Sequence, residues 1–403
     1  MKTTFTFLAG LFLAISLNAA DINITSADNL ATVYAGAAAG DVIILANGSY
    51  TVDATINLTK GITIKALNPL QATIIGVGFI FNTTGITDVK FEGLVFDGTK
   101  SIDSIMQLYF TDINGATTLS NVTIENCKIS NYGNCLLRAN RAEGVCNEFK
   151  VNNCIIKNFG ASNLYPFFQC TKTKFTKLEL TNSTISDLIP EFIQFYGTAG
   201  GNNDAVILFK NNTFYNIVSN ATRRPMSGKS GKLYVQNNIF VKSPVHGTSE
   251  ISFDLTVTTV ELTNNVINDF AGGAFMSAAG WLVNTSNQDV DPLFKNVSAY
   301  DFTLPTGSAL ITANIGDPRW FASTSGIYDT KIKSLNVYPN PTADMIYFGK
   351  TISKLEIIDL VGKVVKSQIN ISETNLKSLS AGTYLVRAFD TDGIMSVQKV
   401  SRK

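Results

Sequence analysis

Val122-Thr123-Ile124-Glu125-Asn126 returns as Phe149-Lys150-Val151-Asn152-Asn153 and again as Leu178-Glu179-Leu180-Thr181-Asn182. In each run apolar and polar residues alternate with period two, which puts one side of a strand in a core and the other in water. Four further copies flank these: Val89-Lys90-Phe91-Glu92-Gly93 before, and Ile207-Leu208-Phe209-Lys210-Asn211, Leu233-Tyr234-Val235-Gln236-Asn237 and Val260-Glu261-Leu262-Thr263-Asn264 after. Their last residues are 33, 27, 29, 29, 26 and 27 positions apart, a length suited to one turn of a β-solenoid. Three residues beyond each closing position an apolar side chain reappears, at Phe96, Ile129, Ile156, Ile185, Phe214, Phe240 and Ile267, which predicts one internal ladder. Six of the seven closing positions are Asn, which tolerates left-handed backbone angles and bonds its amide to neighbouring turns, so an Asn ladder is expected at that corner. Val42 to Leu45 and Ile62 to Lys65 read as two earlier turns.

These repeats predict an all-β fold, a right-handed parallel β-helix over residues 21–321. Both solenoid ends need cover against unpaired strand edges. Asp28 to Ala35 reads as a short amphipathic helix with Asp28 as its cap, and Trp320 is expected to close the other end. A polar linker at 322–331 then leads to a small β-sandwich over 332–403, where short alternating strands follow at close spacing.

The rest of the composition bounds function. Lys+Arg of 32 against Asp+Glu of 31 gives no electrostatic case for nucleic acid or an anionic membrane. Lys2, the apolar run Phe5 to Leu17 and Asn18-Ala19-Ala20 read as a signal peptide over residues 1–20, so export to the outside or the cell surface is expected. Cys127, Cys135, Cys146, Cys154 and Cys170 allow two readings in an exported protein, disulfides or free thiols stacked in the coils, and the odd count forbids complete pairing. A monomer is expected.

Two resemblances add to this reading. Tyr338-Pro339-Asn340-Pro341, Gly362-Lys363, Leu379-Ser380-Ala381-Gly382-Thr383-Tyr384 and Lys399-Val400 closely resemble the C-terminal sorting domain of the Bacteroidetes type IX secretion system. That resemblance implies the type IX secretion machinery as a partner. The body resembles the pectin-lyase-like superfamily of β-helices, and uncharacterised Bacteroidetes β-helix domains ending in Asp291-Pro292-Leu293-Phe294, Asp301-Phe302-Thr303-Leu304 and Gly316-Asp317-Pro318-Arg319-Trp320. Its opening, Gly40 to Tyr50 with Ile62 to Pro69, is similar to the first coils of chondroitinase B-type and alginate-type polysaccharide lyases.

The lyase resemblance implies an acidic polysaccharide as partner and a base that removes the proton beside a uronate carboxylate. Ser227-Gly228-Lys229-Ser230 is similar to the segment carrying the lyase Lys, which makes Lys229 the candidate base. No Arg-His-Gly follows one coil later; His246-Gly247 is the nearest trace. No cofactor is expected, with calcium as the alternative that the resemblance leaves open, since the acidic pair that would hold it is missing and Asn220-Ala221-Thr222-Arg223-Arg224 stands in its place. Arg223 or Arg224 would then neutralise the uronate, a guanidinium pairing bidentately with carboxylate; the competing reading makes all three residues solvated turns. A second row, Arg138, Gln169 and Gln194 beside Arg141, Lys172 and Tyr196, is expected as a shallow basic and aromatic groove on an outer face, or as ordinary exposed strand positions. No Asp-Asp pair supports hydrolysis by paired carboxylates, and no Ser elbow supports an esterase. A non-catalytic glycan-binding or surface structural protein is the rival class.

Overall fold

The computed structural model describes residues 19–52, 55–76, 78–100, 109–114, 117–140, 144–161, 165–195, 204–218, 226–228, 231–243, 252–253, 259–270, 283–285, 289–322, 337–359, 363–389 and 395–403. The signal peptide and the linker fall almost wholly outside them. The chain divides into two compact units between Ala322 and Ser323. Among the described residues no helix is long and apolar enough to cross a membrane.

The first unit is the right-handed parallel β-helix, with three parallel sheets running along it. Sheet A has 11 strands, from Asp21–Ile24 to Val283–Thr285, and takes in every aligned repeat. Sheet B has 9, from Gly48–Thr51 to Val266–Phe270, and sheet C has 8, from Ile56–Leu58 to Ser252–Phe253. Registers are those of the sequence alignment: Val122 pairs with Val89 and Phe149, and Phe149 with Leu178. In sheet B, Phe96, Ile129, Ile156, Ile185, Phe214, Phe240 and Ile267 stand rung on rung. Phe214 and Phe240 stack with centroids 4.5 Å apart and planes 2° apart, a contact worth about 1 kcal/mol beyond its buried area.

The corner between sheets A and B is made by backbone conformation. Gly93 and the six aligned Asn residues all have positive φ, from 50° at Asn182 to 68° at Gly93. The left-handed residue turns outward, and the next one points into the core. That inner position carries the buried ladder of Asn212, Asn238 and Asn265, one residue later than the sequence expectation. Asn238 Nδ2 donates to Phe209 O (2.9 Å) and Asn265 Oδ1 (3.0 Å), while Asn238 Oδ1 accepts from Asn212 N and Nδ2 (2.9 Å each). In earlier turns Cys127, Cys154 and Ser183 fill the same slot, where Cys127 donates its thiol proton to Glu125 O (3.2 Å). All five cysteines are buried and free, which resolves the sequence's two readings in favour of stacked thiols.

The expected N-terminal cover is present with changed detail, and the expected closure by Trp320 is not. The helix Leu30–Gly36 is capped by Asn29, whose Oδ1 accepts from Thr32 N (2.9 Å). Asp28 instead accepts from Thr25 N (2.8 Å), so it shapes the turn before the helix. The Gly316-Asp317-Pro318-Arg319-Trp320 segment does not close an end. It lies along the outside of sheet B as a strap: Gly316 N donates to Asn237 O (2.8 Å), Asp317 N to Thr213 Oγ1 (3.0 Å) and Trp320 Nε1 to Thr184 Oγ1 (2.6 Å). The physical reason is that the outward positions of sheet B turn apolar there. Ile239, Val241 and Val266 form a second core with Leu304, Leu310 and Ile315, outside the helix interior.

The second unit is a four-stranded antiparallel sheet in the order Val364–Asn375, Met345–Ile358, Gly382–Phe389, Met395–Arg402. Its longest strand shifts register between Tyr347 and Ile352. Ile346, Leu355, Ile357, Val386 and Val400 make its own core.

Candidate functional site

Sheet C carries a polar row on its outward positions. Asp112 pairs with Arg138, Arg138 with Gln169, Gln169 with Gln194 and Gln194 with Ser227, one residue per rung. The residues on either side of each, such as Leu137 and Ala139 or Phe168 and Cys170, point inward and are buried. Period two therefore forces the middle residue outward. The structure thus brings Arg138, Gln169 and Gln194 together as the sequence spacing implied.

The row is not the exposed groove expected of it. Arg138 is 4 % exposed and Gln169 8 %; only Gln194 is partly open. Arg138 Nε donates to Asp112 Oδ1 (2.9 Å) and Nη2 donates to Oδ2, a bidentate pair. The Tyr109 ring covers the guanidinium, with its centroid 3.7 Å from Cζ. Burial opposes the charge on Arg138, but the hydrogen bonds and charge of Asp112 outweigh it, so the guanidinium pKa is held above its ordinary value. Burial likewise pushes the Tyr109 hydroxyl up to about 12. Tyr165 stands against Tyr109 with ring centroids 5.8 Å apart. Farther along, Ser227 Oγ donates to Glu191, and both are buried.

One acceptor in this row is unmet: Gln169 Oε1 is buried without a hydrogen-bond partner. Such an orphan is costly in a folded protein and points to a missing donor. Lys172, three residues on, is exposed beyond the end of its strand. Lys229, Arg223, Arg224, Arg141, Tyr196 and His246 lie outside the described residues, although Met226–Gly228 immediately precedes Lys229 and is a sheet C strand. No cluster of His, Cys, Asp or Glu able to hold a metal occurs among the described residues.

Sequence reasoning missed Asp112, Tyr109 and Glu191. Asp112 was within reach, since it is the same outward strand position one rung before Arg138. The 33-residue spacing around it hid the alignment. Tyr109 and Glu191 each stand three residues before a row member, but Cys135 and Pro166 hold that position in the rungs between, so the residue type carried no signal.

Residues 48–188 match the family model DUF4957 and residues 207–320 match DUF5123, each described as a domain of unknown function. Residues 336–401 match the secretion system C-terminal sorting domain. No curated protein matches the chain. Among solved structures, the PL6 family alginate lyase AlyGC is 18% identical with a TM-score of 0.46, covering 72% of this chain and 40% of that one. A PL6 alginate lyase in complex with a trisaccharide is 12% identical with a TM-score of 0.29, covering 62% of this chain and 60% of that one. A catalytic domain of a GH87 alpha-1,3-glucanase in complex with tetrasaccharides is 9% identical with a TM-score of 0.25, covering 66% and 68%. The chain thus spans less than two thirds of the length of either lyase. It is a secreted or cell-surface protein, a parallel β-helix body carried by a type IX secretion C-terminal sorting domain.

Proposed function

We propose that the body binds an acidic polysaccharide along the outer wall of sheet C and cleaves it by β-elimination. The observation that carries this reading is the in-register polar row from Asp112 to Ser227, with the unmet acceptor of Gln169 in its middle. A row repeated along an axis suits a ligand that repeats along its own. The candidate cations follow the same strands in sequence: Arg141 and Lys172 each stand three residues after a row member, Lys229 two after Ser227, and Arg224 three before it. Tyr196 and His246 complete the predicted lining. In this mechanism Lys229 takes the proton from the carbon beside the carboxylate. A carbon–carbon double bond forms as the glycosidic carbon–oxygen bond breaks, and the leaving oxygen is protonated. Arg223 or Arg224 holds the carboxylate as its charge grows.

The test is to incubate the secreted protein with alginate, pectate and chondroitin sulfate, with and without calcium, and follow ultraviolet absorbance of the unsaturated product. Lys229→Ala is expected to lower the rate by about 100-fold or more; full activity in that variant removes the base assignment. A second reading, binding without cleavage, is favoured by one observation: the buried charge of Arg138 is already neutralised by Asp112. Silence on all three polymers together with retardation in an affinity gel selects it.

A further inference from the structure

Sheet A holds a feature that the sheet C reading does not use. Lys150, Glu179 and Leu208 stand on successive rungs of its outward face, with Asn152, Thr181 and Lys210 in the next row. With Asn182 and Asn211 of the corner, these residues line a shallow depression of ≈ 380 Å³. Several neighbouring charges of sheet A are paired: Lys90 bridges Glu92 (2.9 Å) and Glu125 (3.0 Å), and Lys177 bridges Glu148 (3.4 Å) and Glu179, the one acidic residue of the depression. Lys150 and Lys210 have no ion pair among the described residues. They sit two rungs and one side-chain row apart, about 12 Å at their Cα atoms, which long side chains can close around one small anion.

The corner supplies a second, independent sign. Asn211 is only 6 % exposed, and its Oδ1 has no hydrogen-bond partner. Its fellows are engaged: Asn153 Nδ2 donates to Asn126 Oδ1 (2.6 Å), and Asn182 Nδ2 turns to Asn152 Oδ1 (2.9 Å). Asn211 also lines the depression, so an acceptor without a donor stands at its edge. Leu208 replaces the charged residues of its row and offers an apolar patch beside it.

We propose that this depression is a binding site for a carboxylated sugar unit, separate from the sheet C wall. The two ammonium groups take the carboxylate. Rotation about the soft terminal torsion of Asn211 brings its oxygen to a sugar hydroxyl, which donates. Leu208 receives the carbon face of the ring. The inference does not depend on the lyase reading.

The experiment titrates the full secreted protein with sodium glucuronate and galacturonate, using glucose and sodium sulfate as controls and nuclear magnetic resonance shifts as readout. Asn211→Gly removes the amide while keeping the backbone, because Gly93 already holds the equivalent corner at φ 68°. Binding of a uronate that weakens at least tenfold in Asn211→Gly and in the Lys150→Gln/Lys210→Gln double variant, yet is unchanged in Lys174→Gln, an exposed sheet A lysine outside the depression, is the expected result. Absence of uronate binding, equal binding of glucose, sulfate binding that uronate fails to displace, or affinity unchanged in both variants overturns the site.

Discussion

Asn238 shows how much one side chain can hold in a stacked fold. Its amide satisfies the Phe209 carbonyl and two donors of Asn212 in a space no water reaches. Asn238→Ala leaves these groups unpaired, and a loss of about 2–4 kcal/mol in denaturant unfolding is expected. Asn126→Gly, at the outward corner, should change stability by about a few tenths of a kcal/mol, because glycine keeps the backbone angle and the one bond lost, from Asn153 Nδ2, is exposed to water. Sequence reading found the corner Asn residues because their interval is nearly constant. It assigned them the amide ladder because nothing in a one-dimensional interval says which of two adjacent residues faces inward. The cysteines are a parallel case. Burial raises the pKa of the Cys127 and Cys170 thiols well above the ordinary value, which suppresses the reactive thiolate. A thiol reagent is expected to find no reactive group in the native protein and all 5 cysteines after unfolding.

The strap and the sheet C row belong to the scale of elements, and they differ in legibility. Register within sheet C followed from the repeat, so Arg138, Gln169 and Gln194 fell into line. Their burial did not follow, because Tyr109 reaches the row from an earlier rung and Asp112 answers the Arg charge across strands. The strap's residues were visible as motifs, but their docking depends on Ile239, Val241 and Val266, outward positions that a period-two pattern marks as wet. Asp317 is the strap's anchor: Thr184 Oγ1 donates to its Oδ2 (2.6 Å), and Arg319 pairs with it at 3.3 Å. Burial raises its pKa from 3.8 to about 6, more than Arg319 and Thr184 can offset. The folded state therefore binds this proton more tightly than the unfolded chain does. Stability from this group is greatest below about pH 4 and is lost as pH rises through about 6, a change on the order of 3 kcal/mol. Melting temperature should fall between about pH 4 and about pH 6.5 and level off above, and Asp317→Asn should flatten that slope.

At the scale of the molecule, the β-helix and the sorting domain each have their own apolar core. A protein ending at Ala322 is expected to keep the denaturation midpoint of the body within about 0.5 kcal/mol, measured by circular dichroism in urea. The order of units was readable from two independent signals, a repeat that stops and a set of ordered motifs that begins.

A solenoid held only by neighbour contacts can fray from its open end one rung at a time. Here one short segment grips Asn237, Thr213 and Thr184 on three successive rungs, and Arg319 reaches a fourth at Asn153. Under a pulling force those rungs cannot peel off singly. They let go together once the segment is torn loose, so a stretching trace should show one large rip where an ungirdled coil would give a staircase.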